Sequence, residues 1–236
     1  MTVLGIDCSA TPCSVAVVKD SKVVASIYSN VKITHSQTLM PMVESVIKFA
    51  HLQLNDIDAF AVSQGPGSFT GVRIGISAVK GLATPNNKKC VGVSTLEAMA
   101  MPFLNDDCIV CCVMDARCNQ VYNALFEIKE EKINRLCEDR ALMCGELADE
   151  LKTKYSNKKN IIVGDGAELF YEFVKEFEFV KLAVEPKLRQ NAVGVGLLGE
   201  KLLRENNFVL AKELLPKYLR LPQAERELNN KKEQGK

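Results

Sequence analysis

Apolar and polar positions alternate along the chain in blocks that predict short strands and amphipathic helices. Val3–Asp7 is a short apolar run and predicts a buried strand. Cys13–Lys19 (CSVAVVK) and Lys22–Tyr28 (KVVASIY) are β-rich runs on either side of Asp20-Ser21, a two-residue polar turn, and predict a hairpin. The period then changes. Between Ser36 and Leu52 the residues Leu39, Val43, Val46, Ile47 and Ala50 recur at helical spacing. Ser36 is the expected N-cap, and Pro41 is expected to move the start or kink the first turn. Ile57–Val62 reads as the next strand, Val72–Ala83 as a helix and Cys90–Val93 as a short strand. Ser94, with Glu97 three residues later, has the capping-box pattern and opens another helix.

The pattern breaks over Met101–Asp107, where Pro102 and Asn105-Asp106-Asp107 stand. A boundary is expected there, between an N-terminal lobe, 1–104, and a C-terminal lobe, 105–223. Past it, Cys108–Met114 predicts a core strand. Gln120–Glu127 and Lys132–Cys137 predict further strands, with a turn at Glu130-Glu131. Gly145–Lys154 predicts a helix, Asn160–Val163 a strand ending in Gly164-Asp165-Gly166, and Glu168–Phe177 another helix. The late helix 191–204 is expected to pack back on the first lobe, and 224–236 is a polar tail. No internal repeat at a fixed period is visible. Strands clustered first and helices after them predict α/β layers. The order strand, hairpin, helix, strand, helix also fits one lobe of an actin-like or sugar-kinase-like fold.

The densest local signal is QGPGSFTGVRIGI, residues 64–76, with Gly65, Pro66, Gly67, Gly71 and Gly75 between a strand and a helix. Glycine permits positive φ and close backbone approach, so this predicts a tight strand-to-helix loop. Amides at such a helix start suit an anion. The phosphate motifs nevertheless fail. A Walker A loop needs Lys-Ser or Lys-Thr after its last glycine, and Gly71 is followed by Val72-Arg73. A dinucleotide fingerprint needs a third glycine where Thr70 stands. Close packing of the helix is the other reading, because Gly71, Gly75 and Ala78 share one helical face. Asp7, at the end of the first strand, suits either a metal–phosphate group or the cap of a turn.

Composition narrows the function classes. The 236 residues are 47% hydrophobic and 25% charged, with a net charge of +1, which is ordinary globular composition and no mark of a general nucleic-acid binder. No apolar run is long enough to span a bilayer. MTVLGIDCSA lacks a basic segment followed by an apolar one, so no signal peptide is expected. Nine cysteines without a secretion signal point to a reducing cytosol. Cys108 and Cys111 form one CxxC, but Cys112 follows at once and no second CxxC exists. Buried thiols in a core strand are therefore expected, not zinc. The two histidines, His35 and His51, are sixteen apart and form no HxxxH or HExxH pattern.

The motifs resemble those of the TsaB family. GIDCSATPCSVAVV is similar to its N-terminal strand–turn–strand and THSQTLMPMVESV to its first helix. QGPGSFTGVRIGI followed by GVSTLEAMA is its most diagnostic stretch. MDARCNQVYNALF resembles the start of its second lobe, and LLPKYLR its C-terminal motif. The likeness runs from about residue 3 to about 222. It implies a two-lobed ASKHA fold, α/β with mixed sheets flanked by helices, as in actin, Hsp70 and sugar kinases. It implies a bacterial cytoplasmic protein of threonylcarbamoyladenosine synthesis in tRNA, acting as the non-catalytic partner of the TsaD-type transferase and of the TsaE-type ATPase. ATP or ADP and a metal would enter only through those partners, tRNA indirectly through the complex, and the chain alone could pair with itself. No membrane association and no cofactor or metal of its own are expected. A stand-alone nucleotide-using phosphotransferase or ATPase of the same fold is the alternative. It would use Asp7 and the Gly164–Gly166 loop.

The expected partner face carries Met42, Arg73, Gly75, Ile76, Ala78 and Val79. The expected loop or ligand contacts are Asp7, Gly65, Gly67, Ser68, Thr70, Gly71, Asp115 and Arg117. For Asp115 and Arg117 an ordinary turn salt bridge is the other reading. In the family's DAR-x-x-E-V-Y pattern the acidic position is Gln120 here, which removes a charge and keeps a hydrogen-bonding group.

Overall fold

A computed structural model describes residues 1–220 of the chain; the polar tail expected at 224–236 lies outside the described residues. The first sheet begins with β1 (Thr2–Asp7), β2 (Cys13–Lys19) and β3 (Lys22–Ser29), an antiparallel meander. Asp20 and Ser21 both have positive φ, as the two central residues of a tight hairpin turn require. The helix α1 (His35–Phe49) leads to β4 (Ala59–Gly65), the helix α2 (Phe69–Ala83) to β5 (Lys89–Ser94), and α3 (Thr95–Ala100) leaves the lobe. The strand order is β3-β2-β1-β4-β5, with β1, β4 and β5 parallel.

The second sheet repeats this plan. It comprises β6 (Cys108–Asp115), β7 (Gln120–Lys129), β8 (Lys132–Arg135) and β9 (Arg140–Met143). The helix α4 (Cys144–Lys154), β10 (Asn160–Val163), α5 (Ala167–Val174), β11 (Val180–Leu182) and α6 (Ala192–Arg204) follow. The order β11-β10-β6-β7-β8, with β9 also paired to β7, is the first sheet's order read from the other edge. The described residues therefore contain one strand–strand–strand–helix–strand–helix–strand–helix plan twice, the second time with β9 added between the third strand and the first helix.

The last helix of each unit joins the two. Leu96, Met99 and Ala100 of α3 sit in the apolar cluster of the second sheet, whereas Val195 and Leu198 of α6 pack with Val3, Ala59 and Ala61 of the first. Close approach of α6 needs its glycines: a Cβ on Gly199 would lie 2.3 Å from Ala61 Cβ. Arg135 of β8 reaches Glu97 of α3 at 2.6 Å and Asp139 at 2.7 Å, and Ser94 donates to Asp139 at 2.7 Å. Glu97 is thus only half of a capping box. Its backbone N–H donates to Ser94 Oγ, but its carboxylate is turned to Arg135.

Several local expectations shift. Thr34, not Ser36, is the N-cap of α1, and it makes no side-chain cap. Pro41 stays inside the helix on its exposed side, where the missing N–H leaves a carbonyl one turn earlier open to water. The helix α2 starts at Phe69, three residues before the apolar periodicity, because Ser68 Oγ accepts from Gly71 N–H at 3.2 Å. Strands β9 and β11 are four and three residues long and carry no sequence signal of their own.

Candidate functional site

A cleft of about 760 Å³ lies between the two sheets. Its floor is the turn Ser9–Thr11 after β1. One wall is the glycine loop and the start of α2, and the other is the β6–β7 hairpin with Asp165. The C-terminal segment 217–220 runs along the rim.

Asp7 ends β1 beneath this floor and is almost fully buried. Its Oδ1 accepts from the Ser9 N–H at 2.9 Å and the Ser9 hydroxyl at 2.7 Å, and its Oδ2 accepts from the Ser63 hydroxyl at 2.7 Å. Burial raises its pKa above the ordinary carboxylate value, and these hydrogen bonds pull it part of the way back. Both carboxylate oxygens are therefore engaged by the protein itself. Ser9 and Ser63 were not singled out in the sequence; the available signal is a hydroxyl at a strand end beside an acidic strand end.

The glycine loop clasps the same turn. Ser68 N–H donates to the Ser9 carbonyl at 2.6 Å. Gly67 has φ +154°, and a Cβ there would lie 2.5 Å from the Ser9 carbonyl oxygen; a Cβ on Gly71 would lie 2.0 Å from that of Cys8. Of the two readings of this loop, close packing describes what these glycines do. Gly65, at φ +125°, backs onto the Lys217 carbonyl oxygen, 2.2 Å from where its Cβ would be. Thr70 is exposed at the helix start. His35 Nε2 lies 2.8 Å from the Ala10 carbonyl oxygen, which makes it a clamp on the floor.

On the opposite wall Asp115 accepts from the Arg117 N–H at 2.7 Å, a local turn and not a salt bridge between side chains. Arg117, Cys118 and Asn119 all have positive φ, a costly backbone for three consecutive non-glycine residues. Asp165 accepts from Gln190 Nε2 at 2.6 Å; burial pushes its pKa up to about 6, the Gln190 bond opposes this, and Asp115 adds to it. Gln120 accepts from Arg220 at the end of LLPKYLR, and Arg220 also donates to the Ala116 carbonyl at 3.4 Å. The position that is acidic in the family pattern thus faces a guanidinium within this chain.

The expected docking face needs correction. Gly75 packs on its own sheet, where a Cβ would meet Val62 Cγ2 at 3.2 Å. Ile76 and Val79 are buried beside it, and Met42 of α1 is only 8% exposed. The face carrying the small residues is also the apolar face, and the sheet takes both. Ala78 is half-buried and Arg73 exposed. Arg73 is held within the chain: it donates to the Tyr218 hydroxyl at 2.7 Å and lies 3.8 Å over the Phe69 ring, which stacks on Tyr218. Among the described residues no three His, Cys, Asp or Glu side chains cluster so as to hold a metal ion, and no helix is long and apolar enough to cross a membrane.

Comparison with known proteins places this geometry. A ROK hexokinase from Thermus thermophilus superposes with a TM-score of 0.51 over 86% of this chain and all of its own, at 11% identity, a likeness of fold alone. The structure of YeaZ from Pseudomonas aeruginosa superposes with a TM-score of 0.80 over 92% of this chain and 99% of its own, at 27% identity. Two duplicated lobes around a cleft thus define a protein of the actin-like ASKHA fold. A family model described as TsaD, tRNA N6-adenosine threonylcarbamoyltransferase, matches residues 23–228. The tRNA threonylcarbamoyladenosine biosynthesis protein TsaB of Escherichia coli is 35% identical over 75% of this chain and 76% of its own. That of Bacillus subtilis is 29% identical over 95% and 96%. The chain belongs to the TsaB family.

Proposed function

We propose that this chain is a non-catalytic subunit in the synthesis of threonylcarbamoyladenosine in tRNA. In this reading it acts in the cytoplasm and scaffolds a TsaD-type transferase and a TsaE-type ATPase. The TsaB proteins of Escherichia coli and Bacillus subtilis, both tRNA threonylcarbamoyladenosine biosynthesis proteins, support this pathway for the chain. The observation that carries the non-catalytic part is the state of Asp7. A carboxylate that is to hold a metal–phosphate group must face the cleft, whereas Asp7 is buried beneath its floor with both oxygens accepting hydrogen bonds from Ser9 and Ser63. The turn above it contains no glycine and is pressed by Gly67 and Gly71. This arrangement counts against a resident nucleotide, and in this reading nucleotide and metal enter through the partners. The stand-alone phosphotransferase alternative meets the same obstacle.

The partner face moves to the outer sides of α1 and α2. Met40 is 46% exposed there, and Ile74, Ala78 and Leu82 form a half-buried apolar stripe at one-turn spacing. Ala78→Arg and Met40→Asp change this face without entering the core. Each is expected to lose co-elution with the TsaD-type subunit while keeping the parent melting temperature. Undiminished co-elution of both variants would remove the face from the proposal.

A further inference from the structure

Nothing in the cleft or the docking face uses Cys8 and Cys13. Cys8 follows β1 and Cys13 opens β2. The register pairs Asp7 with Ser14, so the two cysteines are the next opposed positions. Both point to the face covered by α1 and α2, in one apolar cluster with Leu4, Ile6, Val15 and Val17. Their sulfur atoms are 3.7 Å apart. Opposed residues of an antiparallel pair have Cα atoms ~4.5–5.5 Å apart, inside the span a disulfide bridges. Closing the bond to ~2.05 Å asks the sulfurs to approach by about 1.7 Å.

We propose that Cys8 and Cys13 form a reversible disulfide when the cell meets a hydroperoxide, closing a ring around the turn that floors the cleft. Cys13 is the attacking sulfur. Its sulfur–sulfur hydrogen bond with Cys8 lowers its pKa against the upward pull of burial, while that same bond and burial hold the Cys8 thiol far up. The Cys13 thiolate attacks one peroxide oxygen and the O–O bond breaks. The leaving hydroxide takes a proton and departs as water, and Cys13 becomes a sulfenic acid. Cys8 then gives up its proton and attacks the Cys13 sulfur, the S–O bond breaks, and a second water leaves. Two thiols are oxidised by two electrons and one hydrogen peroxide is reduced to two waters. Exchange with a dithiol that reaches the bond on local opening of the turn restores both thiols.

The pair is 1% and 2% exposed, which favours a small peroxide over a bulky disulfide as the oxidant. The ring would contain Ser9, Ala10 and Thr11. Ser9 is bonded to Ser68 and Cys8 touches Gly71, so the new bond stiffens the contact between the floor and α2.

The test uses the full chain carrying Cys118→Ser, which removes the exposed thiol that would cross-link two molecules. Hydrogen peroxide is added, remaining thiols are alkylated after unfolding, and digests are read by mass spectrometry. The expected product is the segment holding residues 8–13 with an internal disulfide, two hydrogens lighter and unalkylated, and restored by dithiothreitol. In a Cys8→Ser background Cys13 is expected to stop as a sulfenic acid that dimedone traps. Full alkylation of Cys8 and Cys13 after peroxide, or their oxidation to other partners, would overturn the proposal. If Cys8→Ser does not fold, the first measurement decides alone.

Discussion

The Ser63 hydroxyl donates to Asp7 Oδ2 at 2.7 Å and ties together the ends of two neighbouring parallel strands, β4 and β1. With Ser9 on the other oxygen, the bond holds a buried carboxylate inward, away from the cleft. Ser63→Ala leaves one oxygen of that carboxylate unpaired. A loss of ~1–3 kcal/mol at neutral pH is expected in urea unfolding. A change within a few tenths would mean that water in the cleft already serves Asp7.

Asp165 makes stability depend on pH in a defined direction. Its folded pKa is raised to about 6 by burial, so between the unfolded value near 4 and pH 6 the native state binds more protons than the unfolded state. The contribution of this group therefore falls as pH rises through that window, by up to ~3 kcal/mol. Asp165→Asn keeps the acceptor for Gln190 and is expected to be the more stable form above pH 6, with no advantage at pH 4. Parallel stability–pH curves for the two proteins would contradict this.

Gly75→Leu is expected to lower stability by ~1–3 kcal/mol through overpacking against Val62, Ile6 and Cys8. Thermal unfolding of the chain alone checks it. An unchanged melting temperature with lost partner binding would instead return Gly75 to the docking face.

Much of the architecture was legible because short strands and amphipathic helices leave their period in the sequence. The hairpin at Asp20-Ser21, the strand Asn160–Val163 and the helix 191–204 are examples. The duplicated unit was not legible: it is a repeat of strand order, and strand order depends on non-local pairing that no fixed period records. Nor did spacing reveal which side of α2 meets the sheet. Gly71, Gly75 and Ala78 suggested an open seam, yet small residues serve equally to bring a helix down on its own strands. At the site, Asp7 and the glycine loop stood out by residue type. Ser9, Ser63, Gln190 and Arg220 did not, because a hydroxyl or guanidinium acquires its role only when a distant strand or the chain's last segment arrives beside it.

Gln120 and Arg220 offer a direct test of the lost charge. Gln120→Glu turns the contact into a half-buried ion pair and is expected to add ~0–1 kcal/mol, with the gain fading in high salt. Urea unfolding at low and high ionic strength reads it. A loss of stability at both would show that the hairpin does not tolerate the carboxylate.

The most direct measurement is threonylcarbamoyl transfer to tRNA in a reconstituted mixture with the TsaD-type transferase, the TsaE-type ATPase and threonylcarbamoyl-AMP, each protein omitted in turn. Modified adenosine is quantified by mass spectrometry. Product is expected to collapse when this chain is left out. The chain alone is expected neither to form product nor to turn over ATP at an ordinary enzyme rate of ~1 per second. Undiminished product without the chain, or ATP turnover by the chain alone at that rate, would contradict its assignment as a non-catalytic partner.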